Sequence, residues 1–418
     1  MTSISILPGV DRARWLLVID WLAVGVAVSL PWSTTGTGIF IALWLIAFLP
    51  TLFLPTLDIG VLRRVLVTPA GFLPALLWVV AAVGMLWADV SWAERFGGFS
   101  SFHRLLVIPL LLAHFQRSGR GNWIVYGFFF ATIALLVVSW GLAWLPGLPW
   151  RGKEIGVPVK DYVYQGMEFA LCAFVLLAYA CAAGRTQRWR MAAGFVVLAL
   201  LFLTNIFFVA AGRTTLIVVP VLLFVLGWRE FRWRGIFGAV VLGGIVAVPV
   251  WFGSPYMRDR LMTSFNEWQA YRISDDPNST GLHLEFLRKS RILIEAAPIV
   301  GHGTGSIPQQ FRSAAVGQSG ASAAATVNPH NQIFAVAIQL GLIGAAVLVA
   351  MWIAHLLLFS GGGLTAWVGM AVVVQNVASS TFNSHLFDFT SGWLYVFGVG
   401  VVGGMVLRER NAAAEHSR

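Results

Sequence analysis

The chain predicts an all-α polytopic membrane protein of about twelve transmembrane helices with one long water-facing loop that itself carries helices. Three observations lead there. Of 418 residues, 58% are hydrophobic and only 11% charged, against about 25% charged in soluble domains. Apolar runs recur along the whole length, and about 20 such residues are what a helix needs to cross hydrocarbon. One stretch, Gly253 to Asn331, breaks the pattern and is polar. The runs are continuous rather than alternating, which argues against a membrane β-barrel.

The apolar runs are, in order, Trp15–Leu30, Gly38–Leu54, Phe72–Ala88, Leu105–Phe115, Ile124–Leu145 and Met167–Ala182. They continue with Met191–Phe208, Leu216–Trp228, Ile236–Phe252, Gln332–His355, Leu364–Val377 and Trp393–Leu407. The organisation expected is therefore transmembrane helices over 1–252, a loop domain over 253–331, and further transmembrane helices with a tail over 332–418. The first run lacks an Ala-x-Ala-like cleavage site and reads as a resident helix. Cys172 and Cys181 fall in one run, roughly 13 Å apart by helical rise, too far for a disulfide.

Net charge is +10, but the cations are spread over short connections between runs, so nucleic acid is not the expected partner. Arg12, Arg14, Arg63, Arg64, Arg117, Arg120, Arg185, Arg188, Arg190, Arg229, Arg232, Arg234, Arg408 and Arg410 fall on one side. By the positive-inside rule that side is cytoplasmic and carries both termini. The long loop then faces outward, which in a bacterium is the periplasm, and the host membrane is the inner one.

The loop ends in Asn328-Pro329-His330-Asn331, where the chain re-enters the bilayer. An imidazole titrates near neutrality, so His330 is the candidate proton acceptor; a capping or interfacial histidine is the plainer explanation. Arg213 lies in the short outward turn Ala210 to Thr215. An arginine at membrane depth costs roughly 2.5–3.5 kcal/mol, tolerable if it snorkels or binds an anion, and its planar fork suits a phosphate. Loop helix His283–Ala297, ended by Pro298, carries Arg288, Lys289 and Arg291. Arg291 and Glu295 are four apart and read as a solvated pair, which leaves Arg288 as the free cation.

Arg151, Lys153 and Lys160 form a second cationic loop that suits a phosphate or merely solvation. Gly301-x-Gly303-x-Gly305 resembles a backbone nest for phosphate oxygens, although a tight turn back to the membrane explains it equally. Gly301, Gly303, Arg151, Lys153, Arg291 and Asn331 make up the expected substrate-binding set. Gly317 to Thr326 is small and Ala-rich and is expected to be mobile. Asp20 and His355 read as structural, while Glu168 near an outward helix end is a candidate to line the site. No cluster with metal-ligand spacing stands out, and neither a metal nor another cofactor is expected.

The order Gly-Arg-Thr between two runs, Pro298-x-x-Gly301-x-Gly303-x-Gly305, then Pro329-His330-Asn331 and Gly341-Leu342-Ile343-Gly344 resembles the O-antigen ligase and polymerase superfamily, most closely its ligases. The resemblance implies a GT-C-like fold and an inverting, metal-independent glycosyl transfer. The donor would be an undecaprenyl diphosphate-linked O-antigen glycan, and the acceptor a sugar hydroxyl of lipid A–core. Both are met at the membrane lipids. The family's essential histidine and arginines map to His330, Arg213 and Arg288. The usual register of the loop-helix arginine and its following aromatic falls here on His283 and Leu287. An O-antigen polymerase, a protein O-oligosaccharyltransferase and, outside enzymes, a transporter are the other readings. One dominant outward loop favours the ligase, and the absence of a repeated half weighs against the transporter.

Overall fold

A computed structural model describes residues 12–52, 59–145, 147, 154–210 and 212–416. Among them there is no β-strand beyond one isolated bridge between Glu154 and Val157. The chain opens with α1 (Arg12–Ser29) and α2 (Thr34–Phe48), then α3 (Ile59–Val67), α4 (Pro69–Gly84), α5 (Trp92–Ser100) and α6 (Val107–Phe115). Long helices follow: α7 (Gly121–Trp144), α8 (Tyr162–Arg185), α9 (Trp189–Phe208), α10 (Arg213–Phe231) and α11 (Trp233–Gly253). The polar stretch holds α12 (Pro255–Ser274), α13 (Ser279–Ala296) and α14 (Ile307–Ala315). The chain then forms α15 (Gln332–Leu358), α16 (Leu364–Ser379), α17 (Phe389–Phe397) and α18 (Gly403–His416).

Among the described residues each of the twelve apolar runs is helical over most of its length, and the all-α polytopic class is what the structure shows. Eight helices among the described residues are long and apolar enough to cross a membrane, or ten if two bent pairs each count as one span. The difference from twelve has two physical sources. Helix α1 carries Arg12, Arg14 and Asp20 within its eighteen residues, and α16 has only 16 residues. The bent pairs are α3 with α4, turned by 83°, and α5 with the segment through α6, turned by 44°. Thr68 accepts from Gly71 and Pro69 starts α4, which fixes the first bend.

Helix α8 is the axis of the bundle, with 78% of its apolar window buried. The main core gathers Phe169, Phe174, Phe202, Leu222, Trp367 and Tyr395 around it. Two ends can be told apart by their chemistry. At one, buried Asp20 accepts from His114 at 2.7 Å, from Ser118 at 3.0 Å and from Arg120 at 3.2 Å. Arg229 there donates to the Gly362 and Gly363 carbonyls. His355 is buried between the Tyr395 hydroxyl and the Ala70 carbonyl. Asp20, His114 and His355 are thus packing groups.

Helix α15 is kinked at Gly341, whose φ of 63° and ψ of −163° leave the helical region. A break there orphans two carbonyls and two amides of the ladder. The Pro298–Gly303 turn takes up all four. His302 and Gly303 donate to the Ile338 and Gln339 carbonyls, both at 2.8 Å, while Leu342 and Ile343 donate to the Pro298 and Ile299 carbonyls at 2.8 and 3.3 Å. The loop is thereby spliced into a membrane helix. A Cβ on Gly341 would sit 2.1 Å from the Ile299 carbonyl oxygen. Gly341→Ala is therefore expected to lower stability by roughly 1–3 kcal/mol or more, read as earlier thermal unfolding in detergent.

Candidate functional site

At the other end of the bundle the polar stretch packs onto the helix ends. His330 stands at the start of α15 and is built in from both sides. Asn328 accepts from the His330 amide at 2.9 Å and from the Ser384 hydroxyl at 2.8 Å, and donates to Asn383 at 2.7 Å. Asn331 caps α15 by accepting from Phe334 at 3.1 Å and donates to the Thr381 carbonyl. Between them His330 is forced to a φ of 56°, a left-handed conformation uncommon outside glycine. Strain of this kind persists where surroundings over-determine it, as at functional sites.

The imidazole lies nearly parallel to Phe286 of α13, at 5.9 Å and 11°, and 5.1 Å from the His283 ring. Phe286 is itself buried against Phe311. Asn383 lies near the His330 side chain. Burial pulls the His330 pKa below the ordinary imidazole value, with Asn383 and the Asp388 carboxylate opposing. Burial, then the neighbouring His330 and then Arg213, push His283 down to about 4. Both rings are therefore neutral at pH 7, and α13 carries both His283, beside His330, and Thr280, which Arg213 touches.

Arg213 is the first residue of α10, after Gly212, which offers no side-chain cap. Its guanidinium is held loosely, 3.4 Å from Glu267 and 3.3 Å from Thr280, and is 42% exposed. Several of its donors remain for an anion, beside the uncapped amides of a helix N-terminus. Glu267 is more firmly bound elsewhere, accepting from the Thr280 hydroxyl and amide. On the far side of His330, Asp388 accepts from His385 at 3.0 Å and from Asn383 at 3.3 Å. Arg104 donates to the Asp388 main-chain carbonyl. Asn383, near the imidazole, thus donates to a fixed carboxylate.

Other expected site residues are placed differently. Arg288 is not free: it grips buried Glu285 with two hydrogen bonds of 2.8 and 2.6 Å, and Glu285 also accepts from Tyr271. These contacts lie on a face of α13 turned from His283 and Phe286, so Arg288 stands apart from His330. The physical reason is one helical turn: a carboxylate three residues earlier needs a partner once buried. Arg288→Ala is expected to destabilise by roughly 1–3 kcal/mol, less than a fully buried pair because the guanidinium is half-exposed. Thermal unfolding should fall while the transfer rate of the folded fraction holds. Arg291 pairs with Glu295 at 2.7 Å on an exposed face.

The glycine turn is no phosphate nest. The Gly301 amide donates to Ala297, Gly303 to Gln339 and Gly305 to the Gln339 side chain, so its donors are spent on closing α13 and on the α15 splice. Gly303, at φ +88°, sits so close that a Cβ would meet Ala88 at 2.5 Å. The Ala-rich segment is anchored rather than loose. Lys289 donates to the Ser322 and Ala324 carbonyls, and the Ala321 and Ser322 amides donate to Asp275. Lys160 is buried, 3.7 Å from Glu168, and donates to the Leu30 carbonyl; it pins the α7–α8 connection to the end of α1. Arg151 and Lys153 lie outside the described residues.

His283, Phe286, Asn383 and Asp388 escaped the reading of the sequence as site residues. A lone histidine on a helix gives no sign of its partners. The polar run Thr381 to Asp388 did mark a last loop at the same end.

The start of α10 and the start of α15 thus both reach one helix, α13, Arg213 through Thr280 and His330 through His283 and Phe286. Residues 198–349 match the family model for O-antigen ligase. This stretch is an O-antigen ligase family domain. It runs from within α9 to within α15, and so contains Arg213, His283 and His330 together with the glycine turn and its Gly341 splice. The match is consistent with membership of the O-antigen ligase and polymerase superfamily and supports a function of that type. No curated protein matches the chain. With the apolar helices, the family places this O-antigen ligase-type domain in an integral membrane protein.

Proposed function

We propose that the protein is an O-antigen ligase. It transfers an O-antigen glycan from undecaprenyl diphosphate to a sugar hydroxyl of lipid A–core, on the periplasmic face of the bacterial inner membrane. The observation that carries this reading is the convergence of a loosely held arginine and a neutral imidazole inside the matched domain. A diphosphate leaving group needs cations and oriented amides where its charge develops. Arg213 and the N-terminus of α10 supply both. The attacking hydroxyl needs a base that is unprotonated at pH 7. His330 meets that need, its ring held by Phe286 and Asn383.

In the transfer, the acceptor oxygen forms a bond to the anomeric carbon as His330 takes its proton. The bond from that carbon to the diphosphate oxygen breaks, and its electron pair leaves with the prenyl diphosphate. Attack opposite the leaving group inverts the anomeric centre. Arg213 holds the departing diphosphate. In this reading Arg213 and the amides at the start of α10 supply the charge stabilisation. A polymerase shares this chemistry with a growing glycan as acceptor. The concentration of α12, α13 and α14 in one insertion before His330 favours the ligase.

Orientation follows from the arginines, which crowd the end of the bundle away from His330. The test is incubation of the purified protein with a lipid-diphosphate glycan and lipid A–core in the presence of a chelator. A larger conjugate on a gel is expected. Conjugate that appears only when a divalent ion is restored would overturn the metal-free mechanism, and glycan flux across proteoliposomes without conjugate would overturn the ligase itself.

A further inference from the structure

Beside the Asn328–Pro329 turn that leads into His330, a groove of about 450 Å³ opens to water, within the ordinary range of small-molecule sites, about 300–1,000 Å³. Its walls come from the last turn of α5 (Gly97, Gly98 and nearby Ser101), from Val327, Asn328 and Pro329, and from Phe387 and Asp388. Asn328 and Asp388 are the same side chains that reach His330 through its amide and through Asn383.

The chemistry of this groove is unlike that of the Arg213 side. No lysine or arginine lines it. Its two carboxylates are already engaged, Glu94 by Arg312 at 2.9 Å and Asp388 by His385 at 3.0 Å. The carbonyl end of α5 faces it, and that end carries partial negative charge. A diphosphate finds nothing to bind there. Hydroxyl groups find oxygen acceptors, and the Phe387 ring offers an apolar wall of the kind the C–H face of a sugar packs against. Gly97 adds open space, since a Cβ there would meet nothing within 4 Å.

We propose that this groove is a sugar subsite that seats an uncharged pyranose beside the His330 imidazole, separate from the cationic side that takes the diphosphate. The proposal rests on the transfer reading above for the identity of the sugar, which is either the acceptor's or the first sugar of the donor. The two sources share one chemistry and differ in which substrate's kinetics respond.

The test fills the groove without touching the residues that hold His330. Gly97→Trp projects into open space, and Val327→Trp does the same from a second wall, where Val327 is 76% exposed. Val316→Trp, at an exposed position outside the groove, serves as the control. Each folded variant is assayed for saturable binding of lipid-free core oligosaccharide and for KM toward each substrate. We expect both groove tryptophan variants to weaken oligosaccharide binding and to raise the acceptor KM about tenfold or more, with the donor KM unchanged and Val316→Trp like the wild type throughout. A rise in the donor KM alone assigns the subsite to the donor sugar instead. Binding and both KM values at wild-type levels in both groove tryptophan variants overturn the subsite. Blocked binding in a protein that transfers no glycan supports the subsite and overturns the ligase reading, so the two failures are distinct.

Discussion

His330→Ala is expected to cut transfer by about 10²–10⁴-fold, the usual contribution of a positioned general base, while the protein stays folded and still binds the lipid-diphosphate donor. The loss should fall on the rate rather than on donor affinity, because the imidazole acts on the acceptor's proton. The pH profile adds a second signature. Burial holds the His330 pKa below the ordinary imidazole value of about 6.5, so activity should be flat through neutrality and fall only on the acid side of that value. Stability should move in the same direction. His283 titrates at about 4 in the fold and near 6.5 unfolded, so the unfolded chain binds more protons between these values. Stability is then lost as pH drops through 6.5 toward 4. Steady-state kinetics and thermal unfolding across pH 4–8 check both. Wild-type activity in His330→Ala would remove the base assignment.

Arg213→Ala should weaken donor binding and slow transfer together, by about 10²–10³-fold in rate, the effect of deleting one donor to a developing oxyanion. Acceptor affinity should hold. Arg213→Lys should recover only part of the loss, since an ammonium restores the charge without the two-pronged geometry. The contacts to Glu267 and Thr280 are long and exposed, so the substitution should leave thermal stability nearly unchanged. That separates it from Arg288→Ala, where the guanidinium completes a buried carboxylate's hydrogen bonds. Direct titration with a prenyl-diphosphate glycan decides the point, and an unaltered donor affinity would refute the phosphate role.

Much of this was legible in the sequence, for physical reasons that also explain the rest. Continuous apolar runs declare membrane helices one by one, because each must satisfy its own backbone in lipid. His330 and Arg213 stood out because polar residues between two such runs are few. The glycine turn was misleading because its meaning lies some forty residues further on. Only with Gly341 kinked beside it do its amides have carbonyls to meet. Arg288 looked free although Glu285 stood three residues away, since the sequence does not tell which of two neighbouring ions will be buried. His283 became informative only when folding brought α13 between the start of α10 and the start of α15. The Asn383–Asp388 link belongs to a loop some fifty residues after His330, and no pattern along the chain connects them.

The central claim is that His330 and Arg213 serve one donor site. It is tested by the rate at which an acylating reagent modifies His330 at neutral pH, followed by mass spectrometry with and without the lipid-diphosphate glycan. Bound donor should slow the modification in the wild-type protein and leave it unaffected in Arg213→Ala. Equal rates with and without donor in the wild type, under conditions where binding is saturated, would contradict the account.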